Sequence, residues 1–375
     1  MNEPLHHPGL EGIVAGDTSI STLTGGLSYR GYMVEDLAQH SNFEEVAYLI
    51  LHGELPSAEQ LSAFQQRLNE AAAVPKEITK ALKSLPATTP MMDVMRTGAS
   101  MLAHWDADVN DNSHDANLRK AERLLAQLPI IMAVRQRQLE SKPAVAPDSK
   151  LSLAGNILRM LRGRKPTQRH VRALDMSLIM YAEHEFNAST FTARVLCSTL
   201  SDLHSAITAA IGALKGPLHG GANARVMEVL AEVGSAERAE GWVREALANK
   251  HRIMGFGHRV YRDGDPRAKF LKPVCAKLAK ETGNEELEHT ADVIERVVAA
   301  EKQLLPNVDW PSARLFHYLG LPIPLYTPLF VVSRVSGWSA HVMEQLEHNR
   351  LIRPRANYIG PAPRPWLPIE QRGTA

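Results

Sequence analysis

Apolar residues recur with helical spacing along almost the whole 375-residue chain after residue 40. The first pattern, within residues 43–50, has the i, i+3, i+4, i+7 spacing of one helix face, with Ser41 or Asn42 as N-cap and Gly53 after its end. Other stretches repeat this spacing over several turns; they lie at 119–139, 151–162, 170–182, 188–213, 221–232, 239–249, 267–281, 287–304 and 338–350. The chain is therefore expected to fold mainly from helices packed on one another.

Strand-like alternation is rare after residue 30. Residues 19–23 alternate, and the glycine pair Gly25-Gly26 offers a two-residue turn before residues 27–29, which predicts a short N-terminal β-hairpin. Residues 140–149 contain two prolines among polar residues and are predicted to form a surface loop. The predicted fold class is all-α, with many helices and one small hairpin.

Composition excludes several classes of protein. The formal net charge is +1, so neither nucleic acid nor an anionic membrane is an expected partner. Cys197 and Cys275 are isolated, which argues against a disulfide framework and a cysteine-rich zinc site, and favours a reducing compartment. No signal-peptide pattern is visible, and no apolar run reaches the roughly 20 residues that span a bilayer. A cytoplasmic location is expected.

Four short stretches concentrate the residues that carry chemistry. They are AEHEFNASTFTARV (182–195), GPLHGGAN (216–223), GFGHRVYRDGDPR (255–267) and NVDWPSA (307–313). Arginines in such a set hold a small di- or tricarboxylate, histidines donate hydrogen bonds to carbonyl oxygens, and an aspartate removes a proton. The set suits proton abstraction next to a carbonyl group, followed by attack of the enol on a second carbonyl group.

Taken singly, these residues have simpler interpretations. Asp309 is placed to cap a helix, and Arg334 is either an ion-pair partner or an anion ligand. Arg353 would by default be solvated surface. The stretch that starts at Gly255 lacks the third glycine of a dinucleotide-binding loop, and the motifs of zinc proteases, P-loops and α/β-hydrolases are missing.

In order along the chain, these motifs resemble those of the citrate synthase family, which includes the 2-methylcitrate synthases. LSYRGYMVEDLA, FEEVAYLILHGELP, TPLFVVSRVSGW and RPRANYIGP extend the resemblance over nearly the whole sequence, and TTPMMDVMRTG departs from the family pattern outside the catalytic motifs. The resemblance implies a large and a small domain. The small domain would run from Gly220 to Leu321, between large-domain segments 1–219 and 322–375.

The resemblance also implies catalytic roles for three residues. Asp309 would be the base that takes a proton from the methyl group of acetyl-CoA. His219 would hydrogen-bond the thioester oxygen, and His258 would polarise the ketone of oxaloacetate and protonate the new alkoxide. No metal or redox cofactor is implied, since coenzyme A enters as a thioester substrate.

The substrate-binding residues follow from the same resemblance. The side chains implied to hold oxaloacetate are His184, Arg267, Arg334 and Arg353, the last supplied across a homodimer that completes the active site. Coenzyme A would contact Arg262 through phosphate and the backbone of Ile253, Met254, Gly255, Phe256 and Gly257 at its adenine end.

The activity implied is condensation of acetyl-CoA with oxaloacetate and hydrolysis of citryl-CoA to citrate and CoA, the entry to the tricarboxylic acid cycle. Two alternatives stay open. A 2-methylcitrate synthase would use propionyl-CoA, which differs by one methylene group, worth about 1–3 kcal/mol of discrimination. A non-catalytic member on the same fold is disfavoured because Asp309, His219 and His258 are all chemically competent.

Overall fold

A computed structural model describes residues 7–258, 260–261 and 263–372. Sixteen α-helices account for most of the described chain, as the sequence predicts: α1 Val34–His40, α2 Phe43–His52, α3 Ala58–Ala71, α4 Lys76–Lys83, α5 Met91–Leu102, α6 His114–Leu139, α7 Leu153–Arg162, α8 Gln168–Tyr181, α9 Ala188–Cys197, α10 Leu203–Lys215, α11 Ala222–Val233, α12 Ala236–Ala248, α13 Pro266–Thr282, α14 Glu285–Lys302, α15 Asp309–Tyr318 and α16 Tyr326–Glu347.

The predicted hairpin is present and carries one further strand. Strands β1 (Ser21–Thr22), β2 (Ser28–Tyr29) and β3 (Tyr32–Met33) form an antiparallel sheet in chain order, with Ser21 opposite Tyr29 and Tyr29 opposite Tyr32. The third strand was not predicted, because two residues are too few to show an alternating pattern. The prediction of a loop at 140–149 is confirmed.

Helix ends follow their local chemistry. The Asn42 side chain accepts the Glu45 N–H and starts α2, which ends at Gly53 in the left-handed conformation. Ser57 and Gln60 form the predicted capping box at the start of α3. Helix α6 begins at His114 rather than at residue 119, and two other predicted stretches differ more from the helices that form.

The pattern at 188–213 is two helices, α9 and α10. Leu200 has a φ of 69°, and the Asp202 side chain accepts the Ser205 N–H and starts a new helix. The helix predicted at 338–350 is α16, which begins at Tyr326 and ends at Glu347. Pro328 is tolerated there because it lies in the first turn, where its missing N–H costs no hydrogen bond.

Helix α16 is the centre of the described core. Every residue from Tyr326 to Met343 is buried, and the helix packs against α2, α6, α8, α9 and α10. Helices α11 to α15 pack on one another, chiefly α12 on α14 and α13 on α15. After α16, residues 348–372 have little regular secondary structure and are largely exposed. No helix within the described residues is long and apolar enough to cross a membrane.

Candidate active site

The four motif stretches lie at or beside the ends of helices. Residues 182–187 join α8 to α9, residues 216–221 join α10 to α11, and residues 249–265 precede α13. Asp309 is the first residue of α15. Helix ends expose backbone groups and focus their dipoles, so this is a suitable place for polar chemistry.

Asp309 is held by a tyrosine and does not cap its helix. Its Oδ1 accepts a hydrogen bond from the Tyr181 hydroxyl at 2.7 Å, and its side chain makes no capping hydrogen bond to α15. Burial raises the pKa of Asp309 to about 6, while Tyr181 and Arg267 act in the opposite direction. The group is a carboxylate at neutral pH and is a stronger base than an exposed aspartate.

His219 is a neutral, oriented imidazole. Its Nε2 lies 2.8 Å from Ser189 Oγ and accepts the Ser189 main-chain N–H at 3.3 Å. A nitrogen that accepts an N–H is unprotonated, so the ring proton is on Nδ1. Burial, together with the charge of Arg334, lowers the pKa of His219 to about 4. Its Nδ1–H is therefore a fixed neutral donor.

His258 has the opposite tautomer. Its Nδ1 accepts the main-chain N–H groups of Val260 and Tyr261, at 3.1 and 3.3 Å, which leaves the proton on Nε2. Burial and the nearby Arg267 charge lower the pKa of His258 to about 4. The ring centroid lies 5.2 Å from that of His184, so the two imidazoles share one pocket.

His184 is buried beside His258 and Tyr261, and its Nε2 has no hydrogen-bond partner among the described residues. Burial, followed by the charges of Arg267 and Arg334, lowers the pKa of His184 well below its usual value. A buried polar nitrogen without a partner is costly, which suggests that a bound molecule supplies one.

Arg267 is 3% exposed and forms a two-pronged ion pair with Asp265. The Nε···Oδ1 distance is 2.9 Å and the Nη2···Oδ2 distance is 2.8 Å. Burial favours the neutral guanidinium, but Asp265 outweighs it and raises the pKa of Arg267 above its usual value. A fixed positive charge therefore acts on Asp309, His258 and His184 together.

Arg334 is less compensated than Arg267, the other buried arginine of this site. Its Nε donates to the Tyr181 carbonyl at 2.6 Å, its guanidinium lies 4.7 Å from the Phe330 ring centre, and its Nη1 has no partner among the described residues. Burial lowers the pKa of Arg334, while the Glu183 charge opposes this effect. The ion-pair interpretation is the weaker one here, since an unpartnered buried guanidinium nitrogen is suited to an incoming anion.

Residues 255–257 lie against the segment before Asp309. Gly257 donates to the Leu305 carbonyl and Asn307 donates to the Gly255 carbonyl, each at 2.9 Å. Gly255 has a φ of 88°, and a Cβ there would lie 2.9 Å from Trp310 Cε3, so a larger residue would not fit. Ile253 and Phe256 are buried and Met254 is half-buried.

Of the predicted binding residues, one is not joined to this cluster and another is not described. Arg353 is exposed in the segment after α16, and it takes part in none of the hydrogen bonds or ion pairs within the described part of the chain. Arg262 lies outside the described residues, as does Arg259, for which no role was predicted.

Three residues of the site were not predicted from the sequence: Tyr181, Ser189 and Asp265. Tyr181 belongs to the apolar pattern of α8, and Ser189 is a small residue in a motif noted for its histidine. The Asp-Pro pair at 265 was visible, and it gave a signal for a helix start but none for an arginine partner.

The chain is similar to known proteins over almost its whole length. The family model "Citrate synthase, C-terminal domain" matches residues 9–355. The chain is 47% identical to "Citrate synthase 2" of Bacillus subtilis, with 97% of this chain and 98% of that protein covered. It is 45% identical to a 2-methylcitrate synthase of Shewanella oneidensis, with 97% of each covered.

A solved structure has the same fold. It is a ternary complex of carboxymethyl coenzyme A and oxaloacetate with citrate synthase from Thermoplasma acidophilum, with a TM-score of 0.92 and 35% identity over 97% of this chain and 99% of that one. Sequence and fold agree over almost the full length, and the chain belongs to the citrate synthase family of acyltransferases.

Proposed function

We propose that this protein condenses acetyl-CoA with oxaloacetate and hydrolyses the resulting citryl-CoA to citrate and CoA, at the entry to the tricarboxylic acid cycle. The observation that carries the proposal is that one base and two imidazoles have opposite pKa shifts. Burial raises the pKa of Asp309 to about 6 and lowers the pKa values of His219 and His258 to about 4. A base and two neutral donors are then available together at neutral pH.

In the proposed first step, Asp309 removes a proton from the methyl group of the thioester. A methyl thioester is a weak acid, so the enolate oxygen needs a donor while the charge develops. The Nδ1–H of His219 is suited to this role, because Ser189 fixes the ring through Nε2. A positioned base contributes about 10²–10⁴-fold and a preorganised oxyanion donor about 10²–10³-fold.

In the second step, the enolate carbon attacks the ketone of oxaloacetate. The Nε2–H of His258 would polarise the ketone oxygen and then protonate the alkoxide. The unpartnered Nε2 of His184 and the guanidinium groups of Arg267 and Arg334 would bind the keto acid. Arg353 of a second copy would supply the remaining cation in a homodimer, and no metal or redox cofactor takes part.

Coenzyme A is proposed to lie along residues 253–257, with Arg262 on a phosphate group. Support comes from Gly255 and Gly257, whose positive φ values suit glycine and give this loop a tight main-chain path without side chains. Residues 220–321 would form the small domain and move towards the remainder when oxaloacetate binds. Cys197 and Cys275 are free and buried, in keeping with the proposed cytoplasmic location.

The second candidate activity is 2-methylcitrate synthesis from propionyl-CoA. It is favoured by the 45% identity to the Shewanella protein, close to the 47% identity to the Bacillus one. One methylene group changes the transition-state free energy by about 1–3 kcal/mol, so a single enzyme of this family can turn over both acyl donors.

The deciding experiment measures initial rates of thiol release with oxaloacetate and either acetyl-CoA or propionyl-CoA. We expect a higher kcat/KM for acetyl-CoA; the reverse order would make the protein a 2-methylcitrate synthase. Absence of thiol release with both donors would remove both activities. In Asp309→Asn, turnover should fall by at least about 10²-fold while oxaloacetate binding stays close to that of the parent protein, and near-normal turnover would show that the base is another residue.

A further inference from the structure

Tyr181 contacts two groups of the site, Asp309 through its hydroxyl and Arg334 through its main-chain carbonyl. It is the last residue of α8 and is 1% exposed. Its hydroxyl donates to Asp309 Oδ1 at 2.7 Å, and its main-chain carbonyl accepts from Arg334 Nε at 2.6 Å. One residue thus fixes the distance between the proposed base and a proposed keto-acid arginine.

The hydrogen atoms in this network have one consistent arrangement. Tyr181 Oη also lies 2.6 Å from Ser312 Oγ, and either oxygen could donate in that pair. A phenol carries one hydrogen, and an ionised carboxylate only accepts, so the phenol hydrogen goes to Asp309 and Ser312 donates to the phenol oxygen. Oδ1 of Asp309 is then occupied, which leaves Oδ2 to receive the substrate proton.

The tyrosine ring is held independently of its hydroxyl. Its centroid lies 4.5 Å from the Phe330 ring in an edge-to-face arrangement, and Phe330 in turn has an edge-to-face contact with His219 at 6.4 Å. Because these contacts involve the ring carbons, loss of the hydroxyl alone should leave the packing of the site in place.

We propose that Tyr181 is a positioning residue for the enolisation step, whose hydroxyl orients the Asp309 carboxylate with Oδ2 towards the acyl methyl group. The inference rests on the proposed function, since it assigns Asp309 as the base. Tyr181 itself does not contact the reacting atoms; it acts through Asp309.

This arrangement has a consequence for the pH dependence of the reaction. Burial raises the pKa of Asp309, and three side chains modify that effect: Tyr181 and Arg267 lower it, and Asp265 raises it. Ser312 is neutral, and burial lowers the pKa values of His219 and His258 to about 4. The acid limb of the rate profile near pH 6 therefore reports the ionisation of Asp309. Removal of the hydroxyl should therefore move that limb to higher pH.

The test compares Tyr181→Phe with the parent protein from about pH 5 to 9, following loss of the thioester absorbance so that the readout does not itself depend on thiol ionisation. We expect the acid limb of kcat/KM for acetyl-CoA to move up by about one pH unit and kcat to fall about tenfold. The KM for oxaloacetate should stay within about twofold, because the carbonyl group that holds Arg334 is unchanged.

Tyr326→Phe is the matched control, because the Tyr326 hydroxyl is buried and has no hydrogen-bond partner among the described residues. It should leave the pH profile unchanged. Ser312→Ala keeps the Tyr181–Asp309 contact and should give a smaller shift of the acid limb in the same direction. If Tyr181→Phe does not fold, the presence or absence of this smaller shift tests the proposal. An unmoved acid limb in an active, folded Tyr181→Phe would overturn the proposal, whereas an inactive parent protein would overturn the proposed function instead.

Discussion

The Asp265 carboxylate accepts a hydrogen bond from the main-chain N–H of Val308 at 3.0 Å. This contact joins the loop that carries His258 to the helix that starts at Asp309. Asp265 also holds Arg267 through two hydrogen bonds and is 1% exposed. A single carboxylate therefore sets the relative positions of a proposed base, a proposed acid and a proposed substrate cation.

Asp265→Asn is expected to lower kcat/KM for oxaloacetate by at least about 10²-fold. The amide cannot balance the buried Arg267 charge, so the free energy of unfolding should also fall by about 3 kcal/mol. Steady-state kinetics and urea denaturation measure the two effects. Asp263→Asn, at an exposed position of the same loop, is the control and should change neither quantity. Unchanged oxaloacetate kinetics in Asp265→Asn would argue against a role for Arg267 in binding.

Ser189→Ala tests the orientation of His219. Ser189 Oγ lies 2.8 Å from His219 Nε2, lies within donating distance of Asn187 Oδ1 at 2.8 Å and accepts the Trp338 Nε1–H at 3.1 Å. Without the hydroxyl, the imidazole keeps only the weaker 3.3 Å contact to the main-chain N–H, and kcat should fall about tenfold with little change in the KM for oxaloacetate. Ser84→Ala, at the exposed end of α4, serves as the control. An equal loss in both variants would mean that Ser189 has no special relation to His219.

Much of the helical architecture is encoded locally, and those parts could be predicted. Asn42 and Ser57 indicate helix starts because their side-chain oxygens accept hydrogen bonds from backbone N–H groups that lack a partner in the helix. Gly53 indicates a helix end because glycine adopts the left-handed conformation at little cost. The break before Asp202 was missed because apolar spacing continues across it. The early start of α16 was missed because Pro328 breaks helices everywhere except in their first turn.

The site divides in the same way. Four site residues lie in short motifs rich in chemically active side chains, so they can be predicted from one sequence: His184, His219, His258 and Asp309. Tyr181 and Ser189 act through distant partners: Asp309 is 128 residues from Tyr181 along the chain, and His219 is 30 residues from Ser189. Such contacts depend on how helices pack, and nothing in the local pattern distinguishes these two residues from ordinary core positions.

Asp175 should make the stability of the protein depend on pH. It is 4% exposed, and burial followed by the neighbouring Glu44 charge raises its pKa to about 8, against about 3.9 in an unfolded chain. Between these values the folded state holds a proton that the unfolded state has lost, so stability is fully present below about pH 4 and falls as the pH rises towards 8.

Asp175→Asn removes this titration, since an amide does not ionise and can still accept the Phe43 N–H. The variant should match the parent protein near pH 4 and exceed it by about 5 kcal/mol near pH 8. Urea denaturation at several pH values measures the difference. A gap between the two proteins that stays constant with pH would show that Asp175 is ionised in the folded state. Asp148→Asn, in the surface loop, is a control that should leave the slope unchanged.

Two glycines within helices should respond in opposite directions to alanine. Helix propensity alone favours alanine over glycine by about 1 kcal/mol. At Gly241 in α12, a Cβ would meet nothing within 4 Å among the described residues, so Gly241→Ala should be stabilising by about 0.5–1 kcal/mol.

At Gly337 in α16, a Cβ would lie 2.3 Å from Glu183 Oε2 and 2.4 Å from the Ala182 carbonyl oxygen. The second atom is main chain and cannot turn away, so the segment that carries His184 must shift. Gly337→Ala should therefore be destabilising by about 1–3 kcal/mol and should raise the KM for oxaloacetate. Thermal unfolding and steady-state kinetics of the two variants give the comparison. A stabilised Gly337→Ala with normal kinetics would show that α16 and the 182–187 segment are less tightly packed than the contacts of Gly337 imply.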